Sequence, residues 1–61
     1  MVEKIYYIEN SFALIMAIEE ITLAIPCWVE VEHVEMDYSK VTFKARVEDS
    51  AFIENKLAPL V

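Results

Sequence analysis

Few side chains in this sequence have the capacity for chemistry: a single cysteine, Cys27, a single histidine, His33, and two pairs of close carboxylates, Glu19 with Glu20 and Glu30 with Glu32. A cysteine becomes a nucleophile when a base lies within hydrogen-bond reach of its thiol. Cys27 and His33 sit on one segment that reads as a strand, and an extended chain rising about 3.3 Å per residue holds them about 20 Å apart. Only an oligomer could bring them together. Cys27, directly after Pro26, reads as a small buried hydrophobe, and His33 as a surface histidine beside a carboxylate. One cysteine and one histidine do not make a structural zinc site, and a metal held by His33 with Glu32 or Glu35 would need ligands from symmetry-related copies.

Glu30 and Glu32 point to the same side of the strand, about 6.6 Å apart along it. That falls within the broad spacing of paired acids in glycoside hydrolases. Alternating acids are equally what the outward face of a half-buried strand carries. Glu19 and Glu20 are adjacent on a helix, about 100° apart around its axis, and do not converge on one ion. The sequence contains no glycine, which removes every glycine-dependent phosphate or nucleotide motif and leaves few positions for positive φ. We therefore assign no catalytic residue, no metal and no cofactor. An enzyme or ligand carrier, with its site between subunits around His33, is a lesser alternative.

The element that organises the chain is Phe12 to Ile25, FALIMAIEEITLAI, interrupted only by Glu19, Glu20 and Thr22. At about 100° per residue, Leu14, Ala17, Ile18, Ile21 and Ile25 share one face with Ile15 at its edge, the stripe of a helix lying on a sheet. Asn10 or Ser11 caps its start and Pro26 ends it. The opposite side carries Glu19 and Glu20, but also Phe12, Met16 and Leu23. Three large apolar groups there form a patch worth roughly 1.5–3 kcal/mol each when covered, and we read them as an interface. The intramolecular alternative folds Phe12 back over the first strand and Leu23 into the next connection.

Val2 to Ile8 reads as a first strand, apolar on both faces, which suits the middle of a sheet or one covered by a partner. Cys27 to Met36 reads as a second strand whose alternation slips, and Val41 to Val47 as a third in perfect phase. A turn at Asp37 to Lys40 joins them. Pairing Met36 with Val41, Val34 with Phe43, Val31 with Ala45 and Val29 with Val47 requires an extra residue near Glu32 and His33, a β-bulge. That arrangement sets Glu30 against Arg46, Glu32 or His33 beside Lys44, and Glu35 against Thr42. Trp28 falls on the polar side of its strand, where it is either an interface anchor or a cover for a strand end or the second helix. Asp49 or Ser50 opens that helix, with Phe52, Ile53 and Leu57 on one edge, and Pro59 ends it.

The expected fold is α+β in β-α-β-β-α order: a three-stranded antiparallel or mixed sheet, one face covered by the long apolar helix, with a bulged hairpin. Residues 1–61 make one small domain, and a domain of this size buries only about 60% of its unfolded surface. No intrachain disulfide is possible with one cysteine, so oligomerisation is the expected way to complete the core, a dimer being favoured. The 57% hydrophobic content points the same way. A net charge of −6 excludes direct nucleic-acid or anionic-membrane binding, both of which rest on clustered Lys and Arg.

Lys4 is the only lysine or arginine before Lys40, so the acidity belongs to the first two thirds of the chain. Glu30, Glu32, Glu35 and Asp37 form a candidate acidic patch, and a basic protein is then a possible partner. The expected function is a small, acidic, non-enzymatic interaction or assembly module acting as a homo-oligomer through Phe12, Met16, Leu23 and Trp28. The rival is an acidic inhibitor or nucleic-acid mimic that occupies the basic site of a partner protein. No signal peptide or membrane span is legible, and a cytoplasmic location is expected.

Overall fold

The computed structural model describes every residue from Met1 to Val61. Strand β1 (Val2–Glu9) leads into helix α1 (Phe12–Ala24), and strands β2 (Cys27–His33) and β3 (Tyr38–Ala45) follow. Helix α2 (Ser50–Leu57) is flanked by single 3-10 turns at Val47–Asp49 and Ala58–Leu60. The sheet order is β1-β3-β2 and both pairings are antiparallel. The crossover through α1 thus joins two parallel strands with β3 inserted between them, a split β-α-β unit. This is the expected β-α-β-β-α order, with one sheet and a helix packed on it.

The last strand occupies the centre because it alone has a clean apolar side. Ser39, Val41, Phe43 and Ala45 point toward the helices and are nearly inaccessible to solvent. From β1 they meet Ile8, Tyr6, Lys4 and Val2, and from β2 His33, Val31, Val29 and Cys27. Leu14, Ala17 and Ile21 of α1 and Ile53 and Leu57 of α2 close over Ile8, Val41, Phe43 and Ala45 to form a core of nine buried hydrophobic residues. Tyr6 meets Phe43 edge to face, with ring centres 6.3 Å apart, a geometry that aromatic quadrupoles favour. Both helices lie on this one side. They are tied to each other by Lys56 and Glu20 at 2.9 Å, and α2 to β1 by Lys4 and Glu54.

Local chemistry sets the helix ends. Ser11 is the N-cap of α1, its hydroxyl accepting from the Leu14 amide at 3.2 Å, so a donor with no partner inside the helix is satisfied. Ile25 is already extended, as the residue before a proline prefers. Asn10, the other candidate cap, acts elsewhere. Its amide N–H donates to the Asp37 carbonyl at 2.7 Å and its side-chain nitrogen to that of Met36 at 3.4 Å, which pins the β2–β3 turn to the start of α1. No residue has positive φ, in keeping with a chain that has no glycine.

Three expectations about the strands are corrected. The hairpin has no bulge near Glu32 and His33: pairing runs without interruption from Cys27↔Ala45 to His33↔Ser39. The turn comes earlier, at residues 34–37, closed by the Val34 and Glu35 amides donating to the Tyr38 carbonyl. Val29 then faces Phe43 and Val31 faces Val41. The slip in alternation is absorbed by ending β2 at His33, which puts Val34 and Met36 in the turn. The charge pairs change accordingly: Glu30 lies opposite Thr42, Glu32 opposite Lys40 and Trp28 opposite Lys44. Arg46, beyond the strand, binds Asp49 at 2.8 Å instead. Finally, β1 is an edge strand rather than the middle of the sheet.

Candidate interaction surfaces

The outer side of α1 follows from its own periodicity. With Leu14, Ala17 and Ile21 held in the core, residues about 180° around the axis must face away. Phe12 is 75% exposed, Leu23 81% and Met16 42%. Neither Phe12 nor Leu23 folds back over the rest of the chain, so the intramolecular alternative for this stripe fails. Ile15, expected at the margin of the buried face, is largely exposed and extends the stripe sideways. Glu19 shares this side and makes no ion pair, and α1 contains no Lys or Arg.

The second surface is the side of the sheet turned away from both helices. Strand alternation places Glu3, Ile5, Tyr7 and Glu9 of β1 there, with Tyr38, Lys40, Thr42 and Lys44 of β3 and Trp28, Glu30 and Glu32 of β2. No element covers it. Trp28 and Tyr7 are each 60% exposed, and the Trp28 indole N–H donates to Glu30 at 3.1 Å, which lays the ring along the sheet. Trp28 therefore covers neither a strand end nor α2. The four predicted interface residues are not brought together: Phe12, Met16 and Leu23 lie on one outer side of the molecule and Trp28 on the other.

The acidic residues divide as well. Glu30 and Glu32 stand on the open sheet face beside the central row of Lys40, Thr42 and Lys44, while Glu35 and Asp37 belong to the turn. Glu35 lines a shallow hollow of about 280 Å³ with Tyr7, Val34 and Tyr38. Cations thus interrupt what the sequence groups as one patch.

The side chains that could react are arranged for structure. Cys27 and His33 occupy opposite ends of β2. Burial pushes the Cys27 thiol up, and the Asp49 carboxylate pushes it further in the same direction, the reverse of what an activated cysteine needs. His33 does meet a hydroxyl, with Nδ1 at 3.3 Å from Ser39 Oγ. Ser39 is fully buried and gives its proton to Asn10 Oδ1. Its oxygen can therefore only accept from His33, so Nδ1 carries a proton in this contact. A serine so enclosed is no nucleophile. The trio lies at one end of a groove of about 350 Å³ between α1 and β2, whose apolar lining is Leu14, Ile15, Ile18 and Val31. No three His, Cys, Asp or Glu side chains converge to hold a metal, and no helix is long and apolar enough to cross a membrane.

No protein-family model matches this chain, and no curated protein or solved structure matches it significantly. Function is accordingly argued from its surfaces. The sequence marks Tyr7 and Tyr38 as exposed aromatic surface but does not place them with Ile5 and Trp28 on one open face. The signal was present in the two-sided apolarity of β1, but it fits an edge strand with one uncovered side as well as a central strand.

Proposed function

We propose that this chain is a small, acidic, non-enzymatic assembly module that works as a homo-oligomer. The observation that carries the reading is that the single chain shelters nine hydrophobic residues and leaves two apolar surfaces bare on opposite sides, one led by Phe12 and Leu23, the other by Trp28, Tyr7 and Ile5. Large side chains of this kind each contribute roughly 1.5–3 kcal/mol when fully covered, which is considerable beside the slender stability of a domain this small. Aromatic and methionine side chains also typify the centres of protein interfaces. A dimer is the smallest assembly that covers either surface. A cytoplasmic location with Cys27 reduced fits the same reading, because the lone thiol has no partner within the chain.

The rival reading, an acidic decoy for a basic groove, has less support, because Lys40 and Lys44 stand among Glu30, Glu32 and Glu3 on the face that would have to be uniformly negative. Sedimentation equilibrium at micromolar concentration tests the proposal. A mass of two chains or more is expected, and a mass of one 7.1 kDa chain would overturn it.

A further inference from the structure

We propose that the hollow at the turn end of the open sheet face binds a small quaternary ammonium compound. The inference goes beyond the assembly reading and does not depend on it. The hollow holds about 280 Å³ and is lined by Tyr7 of β1, Tyr38 of β3, and Val34 and Glu35 of the turn between β2 and β3. Trp28 is remote from it, standing opposite Lys44 at the other end of the face, about 20 Å from Tyr38 along the strand direction.

The first argument is the placing of the two rings. Tyr38 pairs with Glu9 and Tyr7 with Lys40, so the two tyrosines are diagonal neighbours on the outer face, a relation that holds side chains about 7–8 Å apart. They do not pack on each other, the one aromatic pair of the molecule being Tyr6 with Phe43. A cation seated between them comes within about 6 Å of each ring, the range over which a ring quadrupole attracts it. The second argument is charge. Glu35 lines the hollow, Glu9 stands opposite Tyr38, and Asp37 precedes Tyr38 in the chain; none of the three is in an ion pair. The nearby base, Lys40, does not line the hollow and stands opposite Glu32, which offsets it. The surroundings are therefore net negative, which draws a cation and repels an anionic ligand.

The third argument is the chemistry of the wall. A primary ammonium carries three N–H donors, and a wall made mostly of two rings and Val34 would leave donors without partners. A quaternary ammonium has no such donors, and its alkyl groups suit the apolar lining. The wall is also formed in advance. The Val34 and Glu35 amides donate to the Tyr38 carbonyl at 3.2 and 3.3 Å, and the Tyr38 amide donates to the Glu35 carbonyl at 3.4 Å, so little ordering is needed on binding. The volume is just below the roughly 300–1,000 Å³ of most ligand sites, and with four lining residues the hollow takes a headgroup-sized molecule and offers no track for the flanking residues of a peptide.

Titration of the chain with choline, followed through its amide and ring NMR signals, tests the proposal. Saturable shifts are expected at Tyr7, Tyr38 and Glu35, with the choline methyl signal moving upfield under the ring currents. The neutral tert-butyl analogue, in which carbon replaces the charged nitrogen, is expected to bind about tenfold more weakly or worse, and Tyr38→Leu to weaken choline binding to the same extent. Tyr38→Phe keeps the ring and should keep the affinity, whereas Glu35→Gln should lower it severalfold. Far-UV circular dichroism checks that each variant folds, with Tyr7→Leu in place of Tyr38→Leu should that one fail. Absence of saturable shifts with choline, or equal affinity for the neutral analogue, overturns the proposal. A peptide carrying trimethyllysine that binds more than about tenfold tighter than choline overturns the small-molecule assignment. Sedimentation of the same samples reports self-association separately: a single chain that binds choline removes the proposed function and keeps this site, and an oligomer that ignores choline does the reverse.

Discussion

The two sides of the sheet use the same three strands in opposite ways. On the inner side Val41, Phe43 and Ala45 are at 1% exposure or less, and their neighbours on β1 and both helices complete a continuous apolar layer. On the outer side Trp28, Tyr7 and Ile5 stand between Lys40, Lys44 and glutamates, with nothing above them. Composition alone does not separate the sides, since both hold aromatic and β-branched residues. What separates them is charge at the centre: the inner row of β3 has none, and the outer row alternates lysine with Thr42. A sheet face with charged residues along its middle strand suits contact with a complementary surface that can also be left, whereas the inner face has no such option.

Substitutions can break that contrast. Phe43→Ala on the inner side should cost about 3–5 kcal/mol through lost burial and an unfilled cavity. At roughly 0.05–0.15 kcal/mol per residue, that approaches the whole stability of a chain this size, so urea titration followed by circular dichroism should find it unfolded or nearly so in buffer. Trp28→Ala on the outer side should retain a cooperative transition and lose only the rise of Tm with protein concentration that self-association confers. Matching effects from the two substitutions would dissolve the distinction.

The inner side has one flaw that sharpens the comparison. The Tyr6 hydroxyl is enclosed without a hydrogen-bond partner, so Tyr6→Phe is expected to stabilise the fold by about 1–2 kcal/mol. A lower urea midpoint for this variant would mean that the hydroxyl is satisfied in solution. Ser11→Ala should cost about 1 kcal/mol by freeing the Leu14 amide at the start of α1. The measurement is again the urea midpoint, and assembly at fixed folded concentration should be unaffected.

Alkaline pH acts on the inner side as well. Burial raises the Tyr6 phenol above its ordinary 10.0, Glu54 adding to this and Lys4 opposing it. Burial and Asp49 raise the Cys27 thiol above its ordinary 9.0. The hydrogen bond to Glu54 raises Lys4 above 10.5. In each case the folded state holds its proton more tightly than the unfolded state, so the stabilisation is complete below the ordinary value and is lost as pH rises through the raised one. Tm should therefore fall from about pH 9 upward, less steeply in Tyr6→Phe, as thermal scans between pH 7 and 11 would record. The smallest effect is expected from Lys44→Ala in the dissociated chain. Its long contact with Glu3 is exposed and contributes no more than about 0.5 kcal/mol, whereas in the assembled state the same change should weaken association visibly by sedimentation.

The element order was legible because the signals were local. The period of Leu14, Ala17 and Ile21, the Ser11 cap, Pro26 and the phase of Val41, Phe43 and Ala45 each act within a few residues, and each appears in the structure where it was read. The hairpin was misread because turn position and register are settled jointly. Val34 and Met36 look like strand residues until the Asn10 contacts with Asp37 and Met36 close the turn around them. Ile15 was misplaced for a related reason. Periodicity gives the centre of a helix's buried face but not its width, which depends on where the neighbouring strand stops.

By itself the sequence determined which stretches coil and which extend, which side of α1 is buried, and that so few residues cannot shelter all their apolar groups, since these depend on neighbours along the chain and on a ratio of surface to volume. Only the tertiary structure decided that β3 lies between β1 and β2, that both helices share one side of the sheet, and that Trp28 and the Phe12, Met16 and Leu23 stripe point away from each other. Those outcomes depend on which strand can offer a wholly apolar row to two helices at once, and that is a property of the packed layers, which no single segment carries.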